Sequence, residues 1–203
     1  MTEIVTEGNG WHERPGDRAE LDVGFTATGR TRAGAVAALG ERVAAAATAL
    51  DTDRLTIRHR RLWVHNEWRR ERVVGCRAGE DIGLLLTDVG ALEEILSALI
   101  AAEPTALTGP RWTLADPAGA RREAQRRAVT DARDRAEGYA AALGRTLGPL
   151  LRLSETGVPE HHPAMFARTA ADDSNRPPDV RDLGLEPEPV RVTVRCTTAW
   201  RLT

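Results

Sequence analysis

A chain of 203 residues, 41% of them hydrophobic, can bury a core and is too apolar for wholesale disorder. Its 28 basic residues, all arginine, stand against 30 acidic ones for a formal charge of -2. That balance excludes a molecule-wide positive field for nucleic acid or an anionic membrane, though not a local basic patch.

Residues 1–17 read as an N-terminal extension. In "RAELDVGFTATG", Ala19, Leu21, Val23 and Phe25 alternate with polar or small residues, the period-two pattern of a strand with one buried face. Thr31 to Leu50 places Val36, Leu39, Val43, Ala46, Ala47 and Leu50 at helical spacing, and "DTD" ends it. Leu55 to Leu86 is rich in β-formers, and the charged "NEWRRER" in its middle predicts a turn between two long antiparallel strands. Alternation slips between Ile57 and Leu62, which predicts a bulge. A second helix follows Asp88 as N-cap, buries Leu92, Ile95, Leu96 and Leu99, and stops at Pro104.

"TALTGPRWTLAD" reads as a strand whose Gly109 and Pro110 point to an edge or a kink. The longest pattern comes next. Asp116 caps a helix with Pro117 at its first position and Gly144 beyond its end. Ala124, Ala128, Ala132, Ala136 and Ala140 recur every four residues, a narrow face of small side chains suited to close packing on a sheet. Glu123 with Arg127, Arg127 with Asp131 and Asp131 with Arg135 are spaced to form ion pairs, so the helix's arginines are expected to be spent on its own acids. After the strand "PLLRLSE", Thr156 to Pro189 is a long irregular segment, and Val190, Val192, Val194 and Cys196 alternate in a terminal strand. The expected fold is therefore α+β, an antiparallel sheet with packed helices in the order β-α-β-β-α-β-α-β-β, as a single domain over residues 18–203.

Four stretches together resemble the SIMPL-domain family: "AELDVGFTATG", "VVGCRAGEDIGLLLTDVGALEEILSAL", "EAQRRAVTDARDRAEGYAAALGRTLGPLLRLSE" and "VRVTVRCTTAWRL". The family hairpin usually reads glycine, an aromatic residue, any residue, then alanine; here the run is Gly75-Cys76-Arg77-Ala78, with cysteine at the aromatic position. The resemblance implies an α+β fold, a tendency to homo-oligomerise and a loose association with oxidative-stress defence. It implies no catalytic residues.

The residues themselves offer little chemistry. His161 and His162 in "PEHHP" are the most metal-like feature, but Glu160, Asp172 and Asp173 make a poor ligand set beside them. Cys76 and Cys196 are too far apart for a CxxC motif and are expected to be packing thiols, although neighbouring strands would allow a disulfide. No nucleophile elbow or phosphate loop is present, so neither cofactor nor metal is expected and the protein reads as non-enzymatic. The N-terminal residues lack the layout of an export signal and no apolar run reaches bilayer length, so a cytoplasmic location is expected. The informative segment is "RHRRLWVHNEWRRER", where Arg58, Arg60, Arg61, Arg69 and Arg70 accompany Trp63 and Trp68. That composition suits a protein-contact surface, self or partner, ahead of the alternative, nucleic-acid binding by phosphate contacts and base stacking.

Overall fold

A computed structural model describes residues 2–155, 161–163 and 183–203, which form two units, each an antiparallel sheet with one or more helices on it. The first unit takes in the chain up to Gly16, the part from Leu114 onward and the end from Glu188; the second takes in Asp17–Thr113. The α+β class holds, as does the expected element order, with one strand added before it and a short one ahead of the last.

The added strand corrects the reading of residues 1–17 as an extension. β1 (Glu3–Pro15) pairs along its whole length with the C-terminal strand β8 (Pro189–Leu202), from Glu3 opposite Arg201 to Pro15 opposite Pro189. The boundary expected at residue 17 marks the passage between units. β1 escaped detection because its inward positions are Thr6, Gly8 and Gly10, where a strand pattern calls for apolar side chains.

Those glycines are explained by α4 (Pro117–Ala142), which lies on β1 and β8. The helix buries Ala120, Ala124, Ala128, Ala132, Ala136 and Ala140, each at most 1% exposed. A Cβ on Gly8 would stand 1.9 Å from the Ala128 carbonyl oxygen, and one on Gly10 would stand 2.0 Å from that of Ala124. Strand backbone and helix backbone thus meet with no side chain between them. A buried alanine methyl yields only about 0.8 kcal/mol of hydrophobic free energy, so this interface gains from closeness what it lacks in apolar area.

Polar bonds fix the helix along the strand. Thr6 Oγ1 donates to the Ala132 carbonyl at 2.7 Å and lies 3.0 Å from Thr198 Oγ1. The Asn9 amide donates to Asp131 Oδ2 at 2.9 Å, and Arg127 Nη1 donates to the Trp11 carbonyl at 2.9 Å. The helix ends follow the sequence. Asp116 Oδ1 accepts from the Gly119 amide at 2.8 Å. Gly144, at φ +64°, lets its own amide reach Ala141 and that of Arg145 reach Ala140, a Schellman ending. Arginine pairing also matches, with one change: Arg127 bonds Glu123 and the Trp11 carbonyl rather than Asp131, which holds Arg135 at 3.1 Å. β6 (Leu147–Glu155) and the short β7 (His161–Pro163) pair with β8 to complete the sheet.

The second unit orders its sheet β3-β4-β2-β5, from β2 (Arg18–Gly29), β3 (Leu55–Arg69), β4 (Arg72–Leu86) and β5 (Ala106–Thr113). Leu21, Val23, Phe25, Ile82, Leu84 and Leu86 share one buried cluster with residues of α1 (Arg32–Ala45) and α3 (Leu92–Ala101), joined at the edge by α2 (Ala47–Leu50). Each large side chain so buried contributes roughly 1.5–3 kcal/mol. Arg42 of α1 donates to the carbonyls of Thr26 and Glu103, both at 2.9 Å, tying strand and helix ends together.

Two predictions follow from the β1–α4 contact. Gly10→Ala is expected to cost about 1–3 kcal/mol through overpacking, whereas Gly138→Ala, on a helix face with nothing within 4 Å, should gain about 0.5–1 kcal/mol; urea unfolding at constant m distinguishes them. Asp131 has its pKa lowered, chiefly by the Asn9 amide and then by Arg135, against the opposing effect of burial. A depressed folded pKa gives stability that is present above the ordinary carboxylate range and is lost as pH falls through the folded value. Thermal unfolding from neutral pH into acid should therefore show the advantage of the native protein over Asp131→Asn shrinking below about pH 4.

Candidate interaction surface

β3 and β4 form the hairpin predicted over Leu55–Leu86, but its strands run much further than the charged midsection suggested. The turn is only Arg70 and Glu71, at φ 48° and 46°. Two-residue hairpin loops need this left-handed backbone and favour Asn and Gly there, so a bulky pair stores strain on the order of 1–2 kcal/mol per residue. The expected bulge is found at Arg58, which falls between Ile57 opposite Leu84 and His59 opposite Gly83. A second lies at Val74, because Glu67 faces Gly75 while Trp68 faces Val73.

The first bulge sorts the hairpin's side chains. Beyond it, Arg60, Leu62 and Val64 register with Ile82, Glu80 and Ala78, while His59, Arg61, Trp63 and His65 register with Gly83, Asp81, Gly79 and Arg77. Trp63 is therefore not a free aromatic. Its indole lies over Gly79, where a Cβ would come within 2.2 Å of Cζ2, and it stacks on His65 with centroids 5.1 Å apart and planes at 28°. His59 lies in the same way over Gly83. Two glycines of β4 thus form a floor that two rings of β3 cover.

The seven residues singled out from sequence divide accordingly. Arg60 forms an ion pair with Glu80 on the helix side of the sheet. Arg58 and His59 border a cavity of about 180 Å³ with Glu20, Asp22, Gly83 and Arg111, and Arg111 Nε donates to Glu20 at 2.9 Å. Arg61 registers with Asp81 and Trp63 covers Gly79. Trp68, Arg69 and Arg70 stand together at the tip, where Trp68 is 64% exposed. Val73, opposite Trp68 in register, and Val74 at the second bulge are also exposed there, Arg72 follows the turn, and Leu62, opposite Glu80 further down β3, is exposed as well. Sequence reasoning missed these three aliphatic residues, because β-rich alternation marks them as strand interior; the two bulges and the distance from the helices leave them in solvent.

The remaining candidates form no site among the described residues. Cys76 and Cys196 are buried free thiols, one in each sheet, and burial pushes the Cys196 thiol up. The backbone of His161 and His162 pairs with β8, while their side chains, like Glu160, Asp172 and Asp173, lie outside the described residues. Among the described residues no group of three or more His, Cys, Asp or Glu is arranged to hold a metal. An open groove of about 930 Å³ in the first unit is lined by His12, Arg14, Arg122 and Arg126, but Arg122 reaches Asp116 and Arg126 is paired with Glu123.

The sequence profile of SIMPL, described as a protein of unknown function (DUF541), matches residues 4–200. The chain belongs to the SIMPL family. The match begins within β1 and ends within β8, so both units of this SIMPL protein are family structure. Among curated proteins, none matches the sequence. Among the described residues, no helix of the SIMPL chain is long and apolar enough to cross a membrane.

The division of the two tryptophans is measurable. Trp63→Ser uncovers Gly79 and is expected to lower stability by about 1–3 kcal/mol. Trp68→Ser should stay within about 0.5 kcal/mol of the parent in chemical denaturation, as an exposed substitution.

Proposed function

We propose that this SIMPL protein acts by contact rather than by catalysis, and that it assembles with copies of itself through the tip of the β3–β4 hairpin. The observation that carries this reading is the exposed set Trp68, Val73 and Val74 at the tip, bordered by Arg69, Arg70 and Arg72. Monomeric proteins seldom leave such a set in water, and Trp with Arg is the composition of energetic centres at protein interfaces. The strained Arg70–Glu71 turn adds support, since sterically costly backbone persists where it serves a site.

Light scattering across a concentration range tests the proposal. The expected result is a defined oligomer whose order falls when Trp68 and Val74 are replaced by serine, with the fold retained. An assembly unchanged by both substitutions would remove the tip from the interface. Salt-sensitive retention of a single-stranded oligonucleotide in a mobility-shift assay, with the oligomer unaffected, would instead favour the nucleic-acid alternative.

A further inference from the structure

Apart from the three-residue β7, four strands end the two sheets among the described residues, and three of them are closed to further pairing. At β1, the free edge is occupied from its own helix: Asp131 accepts from the Asn9 amide and Arg127 donates to the Trp11 carbonyl. β6 contains Pro149, which has no amide hydrogen, and its register against β8 is broken twice. β5 is eight residues long, carries Pro110, and is bulged against β2 between Glu20 and Asp22. These are the usual protections of sheet edges.

β3 differs from all three. It is 15 residues long, and from His59 to Glu67 its register against β4 runs without a break. Among the described residues, no strand and no side chain bonds the backbone of its outer side. We infer that this edge receives an extended acidic segment of a partner protein as a fifth strand of the sheet.

Charge selects the occupant. β3 holds four arginines against the single Glu67. Glu67 is already bound to Arg77 at 2.9 Å and Arg60 to Glu80, which leaves Arg58, Arg61 and Arg69 with no ion pair among the described residues. A second β3 laid antiparallel on the first would face arginine-rich strand with arginine-rich strand, and like charges across a pair of strands are destabilising. A strand bearing glutamate or aspartate on alternate residues would neutralise the row and satisfy the open amides and carbonyls together. Backbone bonds would then supply affinity, and the arginines orientation and choice. This surface is distinct from the tip, so it depends on the hairpin as a contact element but not on self-assembly.

The test uses the full chain carrying Trp68→Ser, so that self-assembly through the tip does not intervene, and a fluorescein-labelled extended peptide alternating glutamate and valine. Fluorescence anisotropy measures its binding, and two further peptides carry N-methyl groups on one or the other alternate set of amides. The expected result is binding that weakens by about tenfold or more when Arg58 and Arg61 are changed to glutamate. One N-methylated peptide should be lost and the other retained, since only one set of amides can face β3. Failure of the unmodified peptide to bind would overturn the inference. So would equal binding of both methylated peptides, which would show charge attraction without strand pairing. The oligomeric state of the unsubstituted protein stands or falls separately.

Discussion

Backbone approaches backbone in this protein because glycine is placed where a strand would otherwise carry an inward side chain. Gly8 and Gly10 let α4 settle on β1, and a methyl at either would collide with helix backbone. Gly79 and Gly83 do the same on the hairpin, where the occupant of the empty space is a ring from the next strand, Trp63 or His59. In the first unit this substitutes closeness for apolar area, which the alanine face of α4 cannot provide. In the second it uses two large side chains to cover sheet, and so decides which aromatic stays exposed.

That arrangement also explains what could be read from the chain. α4 was legible in full, from its Asp116 cap to Gly144, because capping, propensity and the four-residue alanine spacing all agree. β2 and β8 were legible because alternate apolar residues face one side. β1 was not, because glycine at the inward positions looks like loop when its helix partner, more than a hundred residues away in sequence, is unknown. The same cause hid the fate of Trp63: the sequence shows an aromatic in a basic segment, and only the register places it over Gly79. The bulge at Arg58 was visible as a slipped alternation. Its consequence, that Arg60 takes the face of Ile82 and Arg61 the opposite one rather than the reverse, depends on where the slip falls, and periodicity located it only between Ile57 and Leu62.

The hairpin carries what packing does not use. Its base is bound into the second unit's core through Leu55 and the Leu84–Leu86 end of β4, while its far half holds exposed aliphatics, an exposed tryptophan and a strained turn. Among the described residues, its outer edge is the long one that neither a helix nor a proline closes. Apolar tip and basic edge are different surfaces with different chemistry, and one β-element presents both because two bulges and two glycines set which side chains turn inward.

Amide hydrogen exchange, measured on the native protein at low and at high concentration, tests the central claim that the hairpin is the contact element and the glycine-floored sheets are packing. The account predicts concentration-dependent protection confined to the distal hairpin, from about Leu62 to Val74, with the amides of β1 and α4 slow and unchanged at both concentrations. Protection that grows elsewhere while the hairpin stays open, or rapid exchange along β1 beside α4, would contradict it.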